Sequence, residues 1–389
     1  MTTLGFLKPF SELYAFGEEA PEKVCPTAML RFVNLVFAVA NAYLIFLINA
    51  LLNKSMIQQE DLSLRLDILS TISLASFPCL FFFNFLFYTD PGSLFFVLLM
   101  YFHHLNNQDV LASVFGLISL LFRQTNIVWV LFVAANASFE ILRKNWSKLS
   151  KKTTRGKAFQ VVMMNLLLTC GGYIVTGIAF LAFLLINRGI VLGDKTAHEV
   201  SFNIPQMFYF FGFCCFFGLT IILKSIASFG RFLLENKLLF LLMSTGTGFL
   251  LRTMSTAHPY LLADNRHYTF YVWKRILNPS NILLDCSLPI VFVFGAWSLN
   301  HSLSKRDFTW KSLFLLSTAI SLVPQKLLEF RYFVVPFVLW RLNVGPLSPF
   351  QVVLELILNS VVNMSTIYVF LFRPFVWPHE PYDIQRFMW

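Results

Sequence analysis

The sequence predicts an all-α, polytopic membrane protein: a bundle of about 10–12 transmembrane helices joined by short loops. Three observations carry that expectation. A soluble domain is about a quarter charged and under half apolar, whereas this chain is 13% charged and 57% hydrophobic, with a mean hydropathy of +0.67. Apolar runs recur along the chain between short polar breaks, and basic residues gather in particular breaks, as they do beside membrane spans. One integral bundle over residues 28–389, preceded by a polar segment at 1–27, fits this pattern better than separate soluble domains.

Taken in order, the apolar runs place spans at 32–52, 66–88, 91–105, 108–122, 125–142, 161–186, 207–223, 238–254, 283–301, 311–323 and 351–372, with a further candidate at 332–342. Several fall short of the roughly 20 apolar residues a straight span needs, so tilted, broken or re-entrant helices are expected. The first 27 residues lack the pattern of a cleavable signal, because Glu18, Glu19 and Glu22 interrupt them before any continuous apolar core. The Phe-rich run CLFFFNFLF at 79–87 reads as core packing or lipid contact.

Orientation follows from the 143–158 connection. It carries Arg143, Lys144, Lys148, Lys151, Lys152, Arg155 and Lys157 without an acid, which predicts a cytosolic location. Counting spans outward, the breaks at 53–65, 103–109, 224–237 and 301–311 become cytosolic. Those at 88–93, 122–126, 187–206 and 255–282 share the opposite side with the N-terminal segment. The second group mixes acid, base and amide, which predicts a site assembled from several short loops on one membrane face. The sequons at Asn53, Asn145 and Asn300 fall on the cytosolic side and are expected to be unmodified.

The net charge of +10 invites a nucleic-acid reading, but the positive-inside rule already accounts for these residues and no nucleic-acid partner is expected. The six cysteines show no metal spacing and read as small core residues. No GxGxxG, P-loop, HExxH or GxSxG pattern occurs, so soluble nucleotide and hydrolase chemistry has no support and no cofactor is expected. A transporter would bury ionisable groups near mid-span; here they sit mainly at span ends.

The most informative stretch is HPYLLADNRHYTFYVWKR at 258–275, dense in charge between apolar runs. Asp264, Asn265, Arg266 and His267 set a carboxylate, an amide, a guanidinium and an imidazole side by side. On a phosphorylated lipid, Arg266 could take two phosphate oxygens in its planar fork, with His267, Lys274 or Arg275 neutralising charge as the phosphate leaves. The competing reading is an Asp–Arg pair that steadies the loop, with Tyr268 at headgroup depth. Arg123 and Gln124, with Asn126 close behind, lie at a helix junction that suits a lipid phosphate or a structural tie. Arg331 reads as a phosphate ligand or as the partner of Glu329. Asp90 before Pro91 reads first as a helix-start residue, with a catalytic carboxylate as the sharper alternative. Asp194, His198 and Glu199 resemble a loose metal cluster, but adjacent His198 and Glu199 would point apart on a helix, so no metal is expected.

HPYLLADNRHYTFYVWKR (258–275), LLEFRYFVVPFVLWRLN (327–343), LFRQTNIVW (121–129), RGIVLGD (188–194), PQMFYFF (205–211) and DIQRFMW (383–389) together resemble the dolichyl-phosphoglucose-dependent α-1,2-glucosyltransferases of the endoplasmic reticulum. The resemblance implies a GT-C type membrane transferase with a luminal active site. Its donor would be dolichyl phosphate glucose and its acceptor the diglucosylated dolichol-linked oligosaccharide used for N-glycosylation. It also implies an inverting reaction, in which a carboxylate takes the proton from the acceptor 2-hydroxyl while cationic side chains stabilise the departing phosphate. The sequence departs from the family at its start: members open with a transmembrane helix and a luminal acidic motif, and Met1–Thr3 resembles the late part of that loop. Either an upstream segment is missing from this version, or the chain is a catalytically impaired member acting as a non-catalytic membrane partner or channel regulator.

Overall fold

The computed structural model describes residues 27–53, 60–150, 155–190, 201–278 and 281–389. Of the described residues 81% are helical, and the described strands form a two-stranded sheet near the C-terminus. Five described helices are long and apolar enough to cross a membrane, six if the bent pair Pro205–Phe217 and Leu219–Glu235 is one span. The all-α, polytopic class expected from composition is therefore the class observed. The described residues divide into two compact units, each built from separated stretches of chain.

The first unit gathers residues within 27–51, 83–190 and 307–317. Helices Asp90–Leu105, Asp109–Phe122, Ile127–Ser150 and Arg155–Asn187 follow one another and pack together. Gly172 lies so close to Ser113 that a Cβ there would sit 1.9 Å from the serine oxygen, so this crossing requires glycine. Arg155–Asn187 has 33 residues, about 50 Å of helix at 1.5 Å per residue, and only 11% of its most apolar window is buried within the protein. It exceeds a hydrocarbon core of about 30 Å and turns its apolar surface outward, as a lipid-facing span does. The basic 143–158 connection is largely helical: Ile127–Ser150 runs through Arg143, Lys144 and Lys148.

The second unit gathers residues within 52–82, 201–306 and 318–389. Its centre is the helix Val334–Asn343, all ten of whose residues are buried. The 332–342 run read as a candidate span; it is a core helix, because ten residues cannot bridge a bilayer and every face is covered by protein. Phe337 stacks on Phe77 with ring centroids 4.4 Å apart, and Phe213 and Phe217 meet both edge-on. Part of the chain's phenylalanine content thus fills a core.

The expected 66–88 span is divided into Glu60–Ala75 and Pro78–Phe83. Pro78 lacks an N–H and disfavours helical backbone at Phe77, which breaks the run there. The expected 207–223 span breaks at Gly218 into Pro205–Phe217 and Leu219–Ile222. A Cβ at Gly218 would lie 2.5 Å from the Trp340 ring, so glycine there lets a core indole reach the backbone. Glu60–Ala75 packs along Pro349–Phe372, where Ser73 donates to Glu355 at 2.8 Å and Asn359 and Asn363 donate to the main-chain oxygens of Ser73 and Ser76.

Candidate functional site

In the first unit, amides on an apolar helix tie down the YTDPGS connection. Asn34 of Thr27–Asn53 donates to the main-chain oxygens of Leu86 and Tyr88, and Asn41 donates to that of Pro91 at 2.9 Å. Asp90 opens the Asp90–Leu105 helix and is 4% exposed. The capping expected of it is not what it does: Thr89 holds the N-cap position, without a side-chain cap bond, and the Asp90 carboxylate turns to Arg123. Arg123 donates to Asp90 Oδ1 at 2.9 Å, while Asp90 Oδ2 is buried with no hydrogen-bond partner among the described residues.

Arg123 ends the Asp109–Phe122 helix in extended conformation, and the 3-10 turn Gln124–Asn126 follows. Gln124 is half-buried there, whereas Asn126 is buried and donates to Ser93 Oγ at 2.8 Å and to the Ser119 carbonyl at 2.9 Å. Asn126 thus ties the start of one helix to the end of another. Asp194, His198 and Glu199 lie outside the described residues. Among the described residues, no group of three or more His, Cys, Asp or Glu is placed to hold a metal ion.

In the second unit, the 258–275 stretch folds as Pro259–Ala263, a tight turn, Tyr268–Val272 and a π-helical turn Trp273–Leu277. His258 caps the first of these, its Nδ1 accepting from Tyr260 N, and Pro259 suits the first helical position. The turn is organised by Asp264. Its Oδ1 accepts from the Arg266 main-chain N–H at 3.0 Å and from Arg266 Nε at 2.9 Å, and its Oδ2 accepts from Arg266 Nη2 at 2.7 Å. Burial works to raise the Asp264 pKa, but the Arg266 hydrogen bonds and the charges of His267 and Arg266 outweigh it and hold the carboxyl below its ordinary value of 3.8.

Arg266 Nη1 donates to Gln385 Oε1 at 3.2 Å, and the guanidinium lies over the Trp377 ring, 4.9 Å from its centroid. His267 Nδ1 is 2.9 Å from the Trp389 main-chain oxygen, and Nε2 faces Asp264 Oδ2 at 3.6 Å. Asn265 accepts from the Trp377 indole at 2.6 Å. Tyr268 packs its ring on Trp389, its hydroxyl is buried without a partner among the described residues, and burial pushes its pKa up to about 12.

A cavity of 230 Å³ is lined by Tyr260, Leu261, Ala263, Asp264, His267, Thr269, Leu327, Leu328 and Glu329. Glu329 accepts from Arg331 Nε, so the internal ion pair read between them is present. The segment carrying Glu329 is anchored by Gln206, which donates to the carbonyls of Gln325 and Leu327 at 3.2 Å. Lys274 and Arg275 are exposed on the π-helical turn and do not line the cavity; Lys274 lies over the Phe270 ring at 5.7 Å. The cavity can receive a polyhydroxylated group: two carboxylates and a phenol meet hydroxyls, while Leu261, Leu327 and Leu328 offer apolar wall.

No sequence pattern marks Gln385, Trp377 and Trp389 as site residues. DIQRFMW carried the resemblance, but nothing local in it shows that the chain returns to Arg266. Gln206 is likewise inconspicuous, since a Gln after Pro205 is an ordinary helix-start residue.

The DIE2/ALG10 family profile matches residues 1–342. A human protein named Dol-P-Glc:Glc(2)Man(9)GlcNAc(2)-PP-Dol alpha-1,2-glucosyltransferase is 39% identical, the match covering 100% of this chain and 85% of that protein. Proteins of the same name from Arabidopsis thaliana and Drosophila melanogaster are 32% and 34% identical, over 94% and 82% of this chain and 83% and 74% of theirs. No solved structure matches the chain.

Proposed function

The chain belongs to the DIE2/ALG10 family, and on that premise we propose that it is a hexosyltransferase of the endoplasmic reticulum membrane. It moves glucose from dolichyl phosphate glucose, in α-1,2 linkage, onto the diglucosylated dolichol-linked oligosaccharide, with its active site on the luminal face. The observation that carries the site assignment is the cavity walled by Asp264, His267 and Glu329, whose two carboxylates are each gripped by an arginine. The donor glucose sits against the carboxylates and Tyr260, and its phosphate draws on Arg266 and Arg331, which stand outside the cavity lining but bond its two carboxylates.

In this reading the acceptor hydroxyl attacks the anomeric carbon, forming the new C–O bond as the bond to the phosphate oxygen breaks. The dolichyl phosphate leaves with that electron pair, and Arg266 stabilises its growing charge. His267 takes the hydroxyl proton. With the ring neutral and its proton on Nδ1, donated to the Trp389 main-chain oxygen, Nε2 is the basic nitrogen. Asp264 is a weak base while Arg266 holds its pKa down, and its role is to stabilise the imidazolium that forms. Asp90 and Arg123 bond each other, and we assign that pair to holding the loop before Pro91.

The test is glucosyl transfer by microsomes from cells lacking the endogenous enzyme. Arg266→Ala is expected to lower kcat/KM by about 10²–10³-fold while the protein stays abundant in the membrane, the scale of losing one donor to a developing oxyanion. Activity at the parent level in that variant would refute the assignment.

A further inference from the structure

The hairpin Phe375–Trp377 and Glu380–Gln385 pairs Phe375 with Gln385, Val376 with Ile384 and Trp377 with Glu380, with an irregularity between Val376 and Trp377. Two strands alone are marginally stable, so the fold must hold the hairpin by what it docks on. From Glu380 to Ile384 every residue is exposed, and Gln385 alone in that strand is buried, at 8%. The irregularity falls at Trp377, where a bulge re-aims a side chain. The two side chains thus singled out are the two that engage the 264–267 turn.

Gln385 accepts from Arg266, and Trp377 donates to Asn265 while lying under the guanidinium. The main chain joins in as well: Met388 N donates to the Arg266 carbonyl at 2.9 Å, Tyr268 N donates to the Met388 carbonyl at 3.0 Å, and His267 and Met388 form an isolated parallel bridge. Trp389 seats this strand by packing its ring on Phe217, Tyr268 and Phe330.

We propose that the 375–389 hairpin and tail are a positioning element for the transfer site, with Gln385 and Trp377 as positioning residues that orient Arg266 and the tail's main chain setting the tautomer of His267. The proposal rests on the glucosyltransferase reading above. Asp264 grips one edge of the guanidinium, Gln385 draws on Nη1, and the indole covers a face. A guanidinium held this way meets a phosphate without first losing rotamer freedom, so transition-state charge finds its donors already aligned.

The full chain is assayed in microsomes from cells lacking the endogenous enzyme, alongside membrane abundance and the thermal transition in detergent. Gln385→Ala is expected to lower kcat at least 10-fold, with donor KM changed less than 3-fold and the thermal transition unmoved. Gln385→Glu keeps an oxygen for Arg266 and is expected to recover most of the rate. Tyr382→Ala, at a residue 96% exposed on the same hairpin, is expected to match the parent. Parent kcat in Gln385→Ala would overturn the proposal, as would a loss explained by missing folded protein, or a folded Gln385→Glu as slow as the alanine variant. The two readings fail differently: an inactive parent chain overturns the glucosyltransferase function, whereas an active parent indifferent to Gln385→Ala overturns positioning alone.

Discussion

His267 has two nitrogens with different neighbours: Nδ1 meets a main-chain oxygen and Nε2 faces a carboxylate across 3.6 Å. In the proposed reaction that asymmetry makes Nε2 the proton acceptor. His267→Gln is expected to slow transfer by about 10²–10⁴-fold, the usual scale for a general base. Transfer rates of the two proteins at equal membrane abundance check this; a variant as fast as the parent would assign the proton to another group. Asp264 plays the complementary part. Because its folded pKa is lowered, the stability its ionisation confers is complete above the ordinary value of 3.8 and is lost only as pH falls through the lowered one. The Asp264–Arg266 pair therefore stays charged at any pH above the ordinary carboxylate value.

At the scale of elements, the buried helix Val334–Asn343 carries an arginine that reads from sequence as the end of a span. Arg341 is 2% exposed and Glu355 of Pro349–Phe372 is 3% exposed. They form two bonds of 2.8 Å, and Ser70 and Ser73 of Glu60–Ala75 complete the cluster. Three helices are thereby pinned through one ion pair. Removing one partner leaves a buried charge, so Glu355→Ala is expected to cost about 3–5 kcal/mol. Replacing both, Arg341→Met with Glu355→Leu, is expected to cost less, because no charge is then left alone. Thermal unfolding of the purified proteins in detergent reads the difference, and equal losses would contradict the pairing.

At the scale of the whole molecule, the distribution of basic residues predicts which surfaces meet the cytosol. A cysteine at Lys148 is expected to react with an impermeant thiol reagent added to sealed microsomes whose cytosolic face is outward. A cysteine at Tyr382 is expected to stay protected until detergent is added, because the hairpin docks on the 264–267 turn and shares its side of the membrane. Labelling of the Tyr382 position in sealed vesicles would place the proposed site in the cytosol. The described helices that qualify as spans number five or six, while other apolar runs fold as shorter helices or, like Val334–Asn343, lie inside protein. Hydropathy finds helices well, but it does not distinguish a neighbour made of lipid from one made of phenylalanine.

The sequence by itself determined the class, the positions of most helices and the stretch around Asp264, because apolar length, charge placement and helix-start residues are local properties of a chain. It also held both readings of Asp264 and Arg266, since residue types at short spacing permit a loop tie and a phosphate grip alike. Tertiary structure alone decided that Asp90 bonds Arg123, that Arg341 bonds Glu355, and that Gln385, Trp377 and Trp389 return to a turn more than a hundred residues earlier. Those contacts join residues far apart in the chain, and their partners are chosen by how helices pack and where a hairpin finds a dock, which no local pattern encodes.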